Sequence, residues 1–184
     1  HIWLIFVLSN MPQIILIGPP GAGKSSVGKA LGQRLSANFA DTDVLIEKES
    51  GLRVSEIFLD KGEPFFRELE RAIVLRELAD FDGVLALGGG AIMNSDVEQA
   101  LRQSSDPICF LDVSLSSAAP RIGFNRDRPL LVGNPRAKWQ ELMNIRRPIY
   151  ESLATLTVST DSGTPSHIAQ EIAEILSQSK EVNS

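Results

Sequence analysis

Ile14-Ile15-Leu16-Ile17-Gly18-Pro19-Pro20-Gly21-Ala22-Gly23-Lys24-Ser25 decides the fold. Four apolar residues of strand type run into a glycine-rich turn, and Lys24 opens a helical pattern that reaches Arg34. Gly18 to Ser25 match GxxxxGK[ST] in full, between a strand and a helix, which is the setting the motif needs. Glycines let successive backbone N–H groups turn inward around phosphate oxygens, and the helix start adds the positive end of its dipole. Lys24 supplies a mobile charge for the outer phosphates, and the Ser25 hydroxyl is placed to ligate Mg²⁺. Gly21, Ala22, Gly23 and Ser26 complete the candidate cradle.

Outward from this loop, short apolar runs alternate with helical patterns. The runs predict strands over Ile14–Ile17, Ala37–Ala40, Val84–Leu87, Ile108–Val113 and Leu156–Val158. Helices are expected over Lys24–Arg34, Val44–Ser50, Val54–Lys61, Pro64–Asp80, Ser95–Gln103, Ser116–Gly123, Arg136–Ser152 and Pro165–Ser177. Such alternation predicts an α/β fold in three layers, with a parallel sheet covered by helices on both faces. Gly123–Pro135, GFNRDRPLLVGNP, has no clean period and is long for a connection, so a lid over an active site is expected at about residues 122–136.

The 184 residues, 43% hydrophobic and 22% charged, suit one well-buried domain, expected over 11–178 with a polar tail at 179–184. Net charge is -5 and no long Lys or Arg run occurs, which speaks against a nucleic-acid partner and for a small one. The lone Cys109 lies in an apolar run and reads as a buried small hydrophobe, so no disulfide framework exists within the chain and a reducing cytoplasm is the expected compartment. The opening stretch HIWLIFVLSN carries seven apolar residues, far from the ~20 that span a bilayer. Met11 reads as the natural start, residues 1–10 are set aside as an upstream extension, and no membrane partner is expected.

What receives the phosphate is less direct. Asp41 and Asp43 flank Thr42 just before a helix; Thr42 or Asp43 could cap that helix, or the two carboxylates could be reagents. If the chain is extended there, residues two apart project to the same side and reach one cleft. Gly88-Gly89-Gly90 directly follow a strand and offer either a plain turn or a surface where backbone approaches a ligand. Arg67 with Glu70, Arg71 with Glu68, and Arg147 with Glu151 have the spacing of ordinary helical ion pairs. Asp112 ends an apolar strand and competes with Asp41 as a metal ligand. From Arg121 to Arg147 basic residues outnumber acidic ones, a local field suited to anions.

Taken together, GPPGAGKSSVGKALG, FADTDVLIEKESG, IFLDKGEPFFRELE, LALGGGAI, RDRPLL and RRPIY closely resemble shikimate kinase, in order and spacing, from about Gln13 to Val158. Only the phosphate loop is specific alone; the set in register is what carries the likeness. The resemblance implies a nucleoside-monophosphate-kinase-like fold with a five-stranded parallel sheet, and transfer of the ATP γ-phosphoryl group to the 3-hydroxyl of shikimate. It implies ATP as co-substrate, one Mg²⁺ per subunit and a monomer. Asp43 would hold the acceptor hydroxyls and take the proton, and Asp41 would act near Mg²⁺ through water. Arg67 and Arg146 would clamp the shikimate carboxylate, Gly88, Gly89 and Gly90 would touch substrate through backbone, Phe58 and Phe66 would wall the ring, and Glu70 would orient Arg67. Arg128 would swing in with the lid onto the phosphates, and Arg121 would lie along the adenine.

Some positions depart from that pattern. Ser26 stands where Thr is common, and Thr160-Asp161-Ser162-Gly163-Thr164 lacks an arginine that some members place near the adenine. The family needs no metal ligand at Asp112. A related gluconate or nucleotide kinase would need other acceptor residues, and a switch ATPase would use Asp112 and hydrolyse ATP without an acceptor.

Overall fold

The computed structural model describes residues 12–122 and 133–182. Arg128, most of the expected lid and residues 1–10 lie outside the described residues.

Five parallel strands form one sheet: β1 (Pro12–Ile17), β2 (Phe39–Asp41), β3 (Gly83–Ala86), β4 (Ile108–Asp112) and β5 (Leu156–Ser159), in spatial order β2-β3-β1-β4-β5. The central position of β1 explains its unbroken apolar run, since a strand covered on both faces has no polar side. Ile14 to Ile17 are fully buried there. Its register sets Leu16 beside Ala86 and Ile17 beside Phe110, so the ends of β1, β3 and β4 lie level with one another. Asp41 pairs with Ala86, which brings the end of β2 to the same edge. In parallel sheets of this kind ligands bind outside the carboxyl ends of the strands, where the order reverses. Here the reversal falls at β1, between β3 and β4.

Among the described residues, eight helices pack on this frame: α1 (Lys24–Leu35), α2 (Thr42–Ser50), α3 (Val54–Lys61), α4 (Glu63–Asp80), α5 (Ser95–Gln103), α6 (Leu115–Ile122), α7 (Pro135–Leu153) and α8 (Pro165–Val182), with a 3₁₀ turn at Ala91–Met93. Their starts obey local chemistry. Pro64 and Pro135 sit in the first turns of α4 and α7, where a missing N–H costs nothing. Asn94 and Asn134 cap α5 and α7 with their side-chain oxygens.

Element ends shift from the expectations at many places, and three of these shifts have a clear local cause. The second strand begins at Phe39 because Ala37 N–H still closes α1 on Gly32 O. The residue capping α2 is Asp41, whose Oδ1 accepts from Asp43 N–H at 2.9 Å and Val44 N–H at 3.4 Å, so neither Thr42 nor Asp43 is the cap. Residues 179–182 belong to α8, held by Ser179 Oγ donating to Ile175 O, with Lys180 favourable at the negative end of the dipole.

Two apolar clusters result. The larger surrounds the sheet, between β1, β3 and β4 and helices α1, α5, α7 and α8. A smaller one joins Ile46, Ile57, Phe66 and Ile73 beneath α2, α3 and α4, with Phe58 packed against it. Consecutive α4 residues split between them: Ile73 faces the small cluster and Val74 the large.

Candidate active site

The loop after β1 takes its shape from glycines whose φ lies in the left-handed region, Gly21 at 82° and Gly23 at 85°, and Gly23 is the N-cap of α1. Lys24 Nζ donates to Gly18 O at 2.6 Å and Pro19 O at 3.0 Å, which holds its ammonium over the loop. Trp139, buried on α7, donates from Nε1 to Pro20 O at 2.8 Å and so fastens the loop from the opposite side.

The loop forms one wall of a cleft of about 300 Å³ lined by Lys24, Ser25, Asp41, Asp43, Gly89 and Arg121 among others. The two aspartates reach it from different elements. Asp41 ends β2 and Asp43 lies in the first turn of α2, so the expected extended geometry does not hold. A cap followed by a helical turn brings both into the cleft instead. Asp41 divides its oxygens: Oδ1 caps α2, and Oδ2 accepts from the Ser25 hydroxyl in a short hydrogen bond. Two hard oxygen donors therefore touch beside Lys24, a donor set that suits Mg²⁺ completed by water and phosphate oxygens. Among the described residues no cluster of three or more His, Cys, Asp or Glu is placed to hold a metal, so an ion here would lean on the nucleotide.

The three glycines after β3 are surrounded by charge. A methyl group built on Gly88 would come within 2.6 Å of Asp43 Oδ1 and 3.0 Å of Glu70 Oε2. One on Gly90 would come within 2.7 Å of both terminal nitrogens of Arg67 and 2.9 Å of Arg146 Nη2. One on Gly89 would meet Pro20 of the phosphate loop at 3.2 Å. These are glycines of close approach, and they join the Asp43 side, the arginine side and the phosphate side in three consecutive residues.

Arg67 donates from Nη1 to Glu70 Oε1 at 2.8 Å and from Nε to Glu63 Oε1 at 3.4 Å. Glu70 is buried, so this is no ordinary surface pair. Burial pushes the Glu70 carboxyl up, and the charges of Arg67 and Arg146 pull it back only in part. Burial also works against the Arg67 guanidinium, yet Glu70 and Glu63 beside it leave its pKa raised. Arg146 on α7 is 6% exposed, which is rare for arginine and means its charge is committed to this spot. Phe66 packs at a tilt against Phe58, with ring centroids 4.8 Å apart, lies under Arg67 at 5.2 Å and is buried in the small core.

Arg121 joins the donor side. It donates to Gly21 O at 3.2 Å, to Thr160 Oγ1 at 3.2 Å and, in a short bond, to Thr160 O, tying α6 to the phosphate loop and to the end of β5. Among the described residues, the basic stretch as a whole does not converge on the cleft. Arg147 forks onto Asp112 at 2.9 and 3.1 Å with Glu151 at 3.4 Å, and Lys138 pairs with Glu141. That fork engages both carboxylate oxygens of Asp112, which the cleft lining does not include.

Sequence reasoning missed Thr42, Tyr150, Trp139 and Thr160. Thr42 hides between two acids, and an aromatic at helical spacing reads as core.

The family model for shikimate kinase matches residues 20–177. A shikimate kinase of Thermobifida fusca is 48% identical over 92% of this chain and 97% of its own. One of Salinispora arenicola is 46% identical over 90% of this chain and 98% of its own. Among solved structures, a shikimate kinase from Acinetobacter baumannii in complex with shikimate superposes with a TM-score of 0.88 at 34% identity, covering 94% of this chain and 96% of that one.

Proposed function

The chain belongs to the shikimate kinase family, and on that premise we propose how its cleft is divided between two substrates. It is an enzyme that phosphorylates shikimate with ATP, a step of the shikimate pathway towards aromatic amino acids. In this reading the γ-phosphoryl group goes to the 3-hydroxyl.

The nucleotide phosphates rest in the loop, on the backbone of Gly21, Ala22 and Gly23, with Lys24, Ser25 and Ser26 at the start of α1. Arg121 adds positive charge on the same side, and Arg128 is assigned to the phosphates by the resemblance of its RPLL element alone. Ser25 and Asp41 would hold a Mg²⁺ ion, which would neutralise charge on the phosphate oxygens. Shikimate lies across Gly88, Gly89 and Gly90. Its carboxylate meets the guanidinia of Arg67 and Arg146, which suit a planar anion better than ammonium groups would. Its hydroxyls face Asp43, and Phe58 and Phe66 support the ring side.

Phosphoryl transfer asks for positioning and charge stabilisation more than for covalent help. A carboxylate is a weak base at neutral pH, so Asp43 aligns the acceptor hydroxyl and takes its proton late, as the new P–O bond forms. Excluding water from the cleft keeps ATP from wasteful hydrolysis. Every group assigned belongs to one chain, so the reading requires no second subunit. No described helix is long and apolar enough to cross a membrane.

The observation carrying this division is the glycine triplet, with carboxylates against Gly88 and guanidinia against Gly90. The test is ADP release by the purified chain with shikimate, quinate, gluconate or no acceptor. Turnover that needs shikimate is expected; equal turnover with and without it would overturn the assignment.

A further inference from the structure

Three glycines in a row have no side chains with which to anchor themselves, yet Gly88–Gly90 must keep a fixed distance from Asp43, Arg67 and Arg146 for the acceptor to fit. The local backbone secures part of this. Leu87 N–H extends the ladder to Leu16 O at 3.1 Å, and the 3₁₀ turn returns Ala91 N–H to Gly88 O and Met93 N–H to Gly90 O, each at 3.1 Å. The two peptide groups facing away from that turn are met by side chains. Gly88 N–H donates to Thr42 Oγ1 at 3.0 Å, and Gly89 O accepts from the Tyr150 hydroxyl at 2.5 Å.

Both side chains are wholly buried. Each also sits on an element that carries an acceptor group. Thr42 immediately precedes Asp43 at the start of α2, and Tyr150 lies one turn after Arg146 on α7. Tyr150 is itself fixed by stacking on Phe110 of β4, with centroids 5.1 Å apart. Burial pushes its phenol up to about 12, so it remains a hydrogen-bond donor throughout the neutral range.

We propose that Thr42 and Tyr150 are positioning residues for the acceptor, each tying the glycine triplet to the element that bears Asp43 or Arg146. Through them the carboxylate end and the hydroxyl end of the site are spaced by one short strap rather than by two independent helices. This rests on the assignment of the triplet to shikimate. Neither residue hydrogen-bonds to the phosphate loop, which the strap meets through Gly89 against Pro20, so their loss is expected to act mainly on the acceptor.

The experiment measures kcat, both KM values and the melting temperature for wild type, Thr42→Val, Thr42→Ser and Tyr150→Phe. Thr42→Val keeps the shape and removes the hydroxyl, leaving Gly88 N–H buried without a partner; Tyr150→Phe takes the donor from Gly89 O, in a partly buried bond at the cleft. Each is expected to raise KM for shikimate about tenfold or more while KM for ATP stays within about twofold, since an orphaned buried polar group shifts the strap it belongs to. Thr42→Ser is expected to recover most of the shikimate affinity. The proposal is overturned if shikimate KM is unchanged in Thr42→Val and Tyr150→Phe, or if both KM values rise together with a falling melting temperature, which is the mark of a structural role alone. Wild type without shikimate-dependent turnover would instead overturn the acceptor assignment itself, and this proposal with it.

Discussion

Arg67 reaches the buried carboxylate of Glu70 at 2.8 Å one helical turn away, with the Arg67 guanidinium against Gly90 and the Glu70 carboxylate against Gly88. Glu70 holds the guanidinium plane beside the glycine triplet, and if Arg67 clamps the acceptor as proposed, the geometry of arginine and not only its charge is the property in use. Arg67→Lys keeps the charge and loses the fork. Its KM for shikimate is expected to rise about 10- to 100-fold with KM for ATP nearly constant, as two-substrate kinetics would record. An unchanged shikimate KM would remove Arg67 from the clamp.

Asp41 and Asp43 separate cleanly by substitution. Asp43→Asn should lower kcat by about 100-fold or more, the usual scale for losing a positioned proton acceptor, while calorimetric ATP affinity is preserved. Asp41→Asn retains a side-chain oxygen able to cap α2, so melting temperature should barely move, and the change should surface in the Mg²⁺ concentration needed for half-maximal rate. Asp41→Ala loses the cap as well, which adds a stability cost of about 1 kcal/mol.

Gly90→Ala tests the close approach directly. The added methyl would lie 2.7 Å from the ends of Arg67, and such flexible ends can move aside. The fold should therefore survive with a melting temperature near that of wild type, and the displaced guanidinia should raise shikimate KM by about tenfold. A variant with normal shikimate KM would show that the guanidinia are not placed by the glycine.

Asp112→Asn discriminates against a switch ATPase. Its carboxylate is forked by Arg147 in a partly exposed pair, which contributes at most about 1 kcal/mol. Mg²⁺ dependence should match wild type. A shifted Mg²⁺ requirement would place the metal at β4 instead.

Cys109 and Tyr150 predict the alkaline limit of stability. Burial raises both to about 12, from ordinary values of 9.0 and 10.0. A raised folded pKa favours the protonated form in the native state, so the associated stability is complete below the unfolded value and is lost as pH climbs towards the folded one. Urea midpoints should thus fall between pH 9 and about 12. At pH 8 the single thiol should react with a disulfide reagent only at the rate of unfolding; fast labelling of native protein would contradict its burial.

How much of this was legible beforehand follows the distance in sequence over which each contact forms. The phosphate loop could be read because strand, turn and helix start are contiguous, and its chemistry lies in backbone conformation that glycine announces. The five strands were legible from apolar runs, since a sheet covered on both faces leaves little room for polar interruption. Residues such as Asp43 and Arg67 entered through a resemblance, because a lone carboxylate or a helical arginine is chemically ordinary until its neighbours are known. Thr42 and Tyr150 were out of reach altogether: they meet the glycine triplet across 46 and 61 residues of chain. The exchange of Asp43 for Asp41 as the cap of α2 shows the converse, a local competition among three adjacent polar residues that only the backbone dihedrals decide.

The small cluster under α2, α3 and α4 is thinly rooted compared with the mass around the sheet, with only Ile46, Ile57, Phe66 and Ile73 fully enclosed. A unit with so little buried surface opens at a lower free energy than the whole molecule, so its amides exchange with solvent through partial opening rather than global unfolding. Arg67 rides on that unit, while the phosphate loop is fastened to the larger core through Trp139. Asp43 and Arg67 thus ride on the smaller core, whereas Arg146, the glycine triplet and the phosphate loop rest on the larger one.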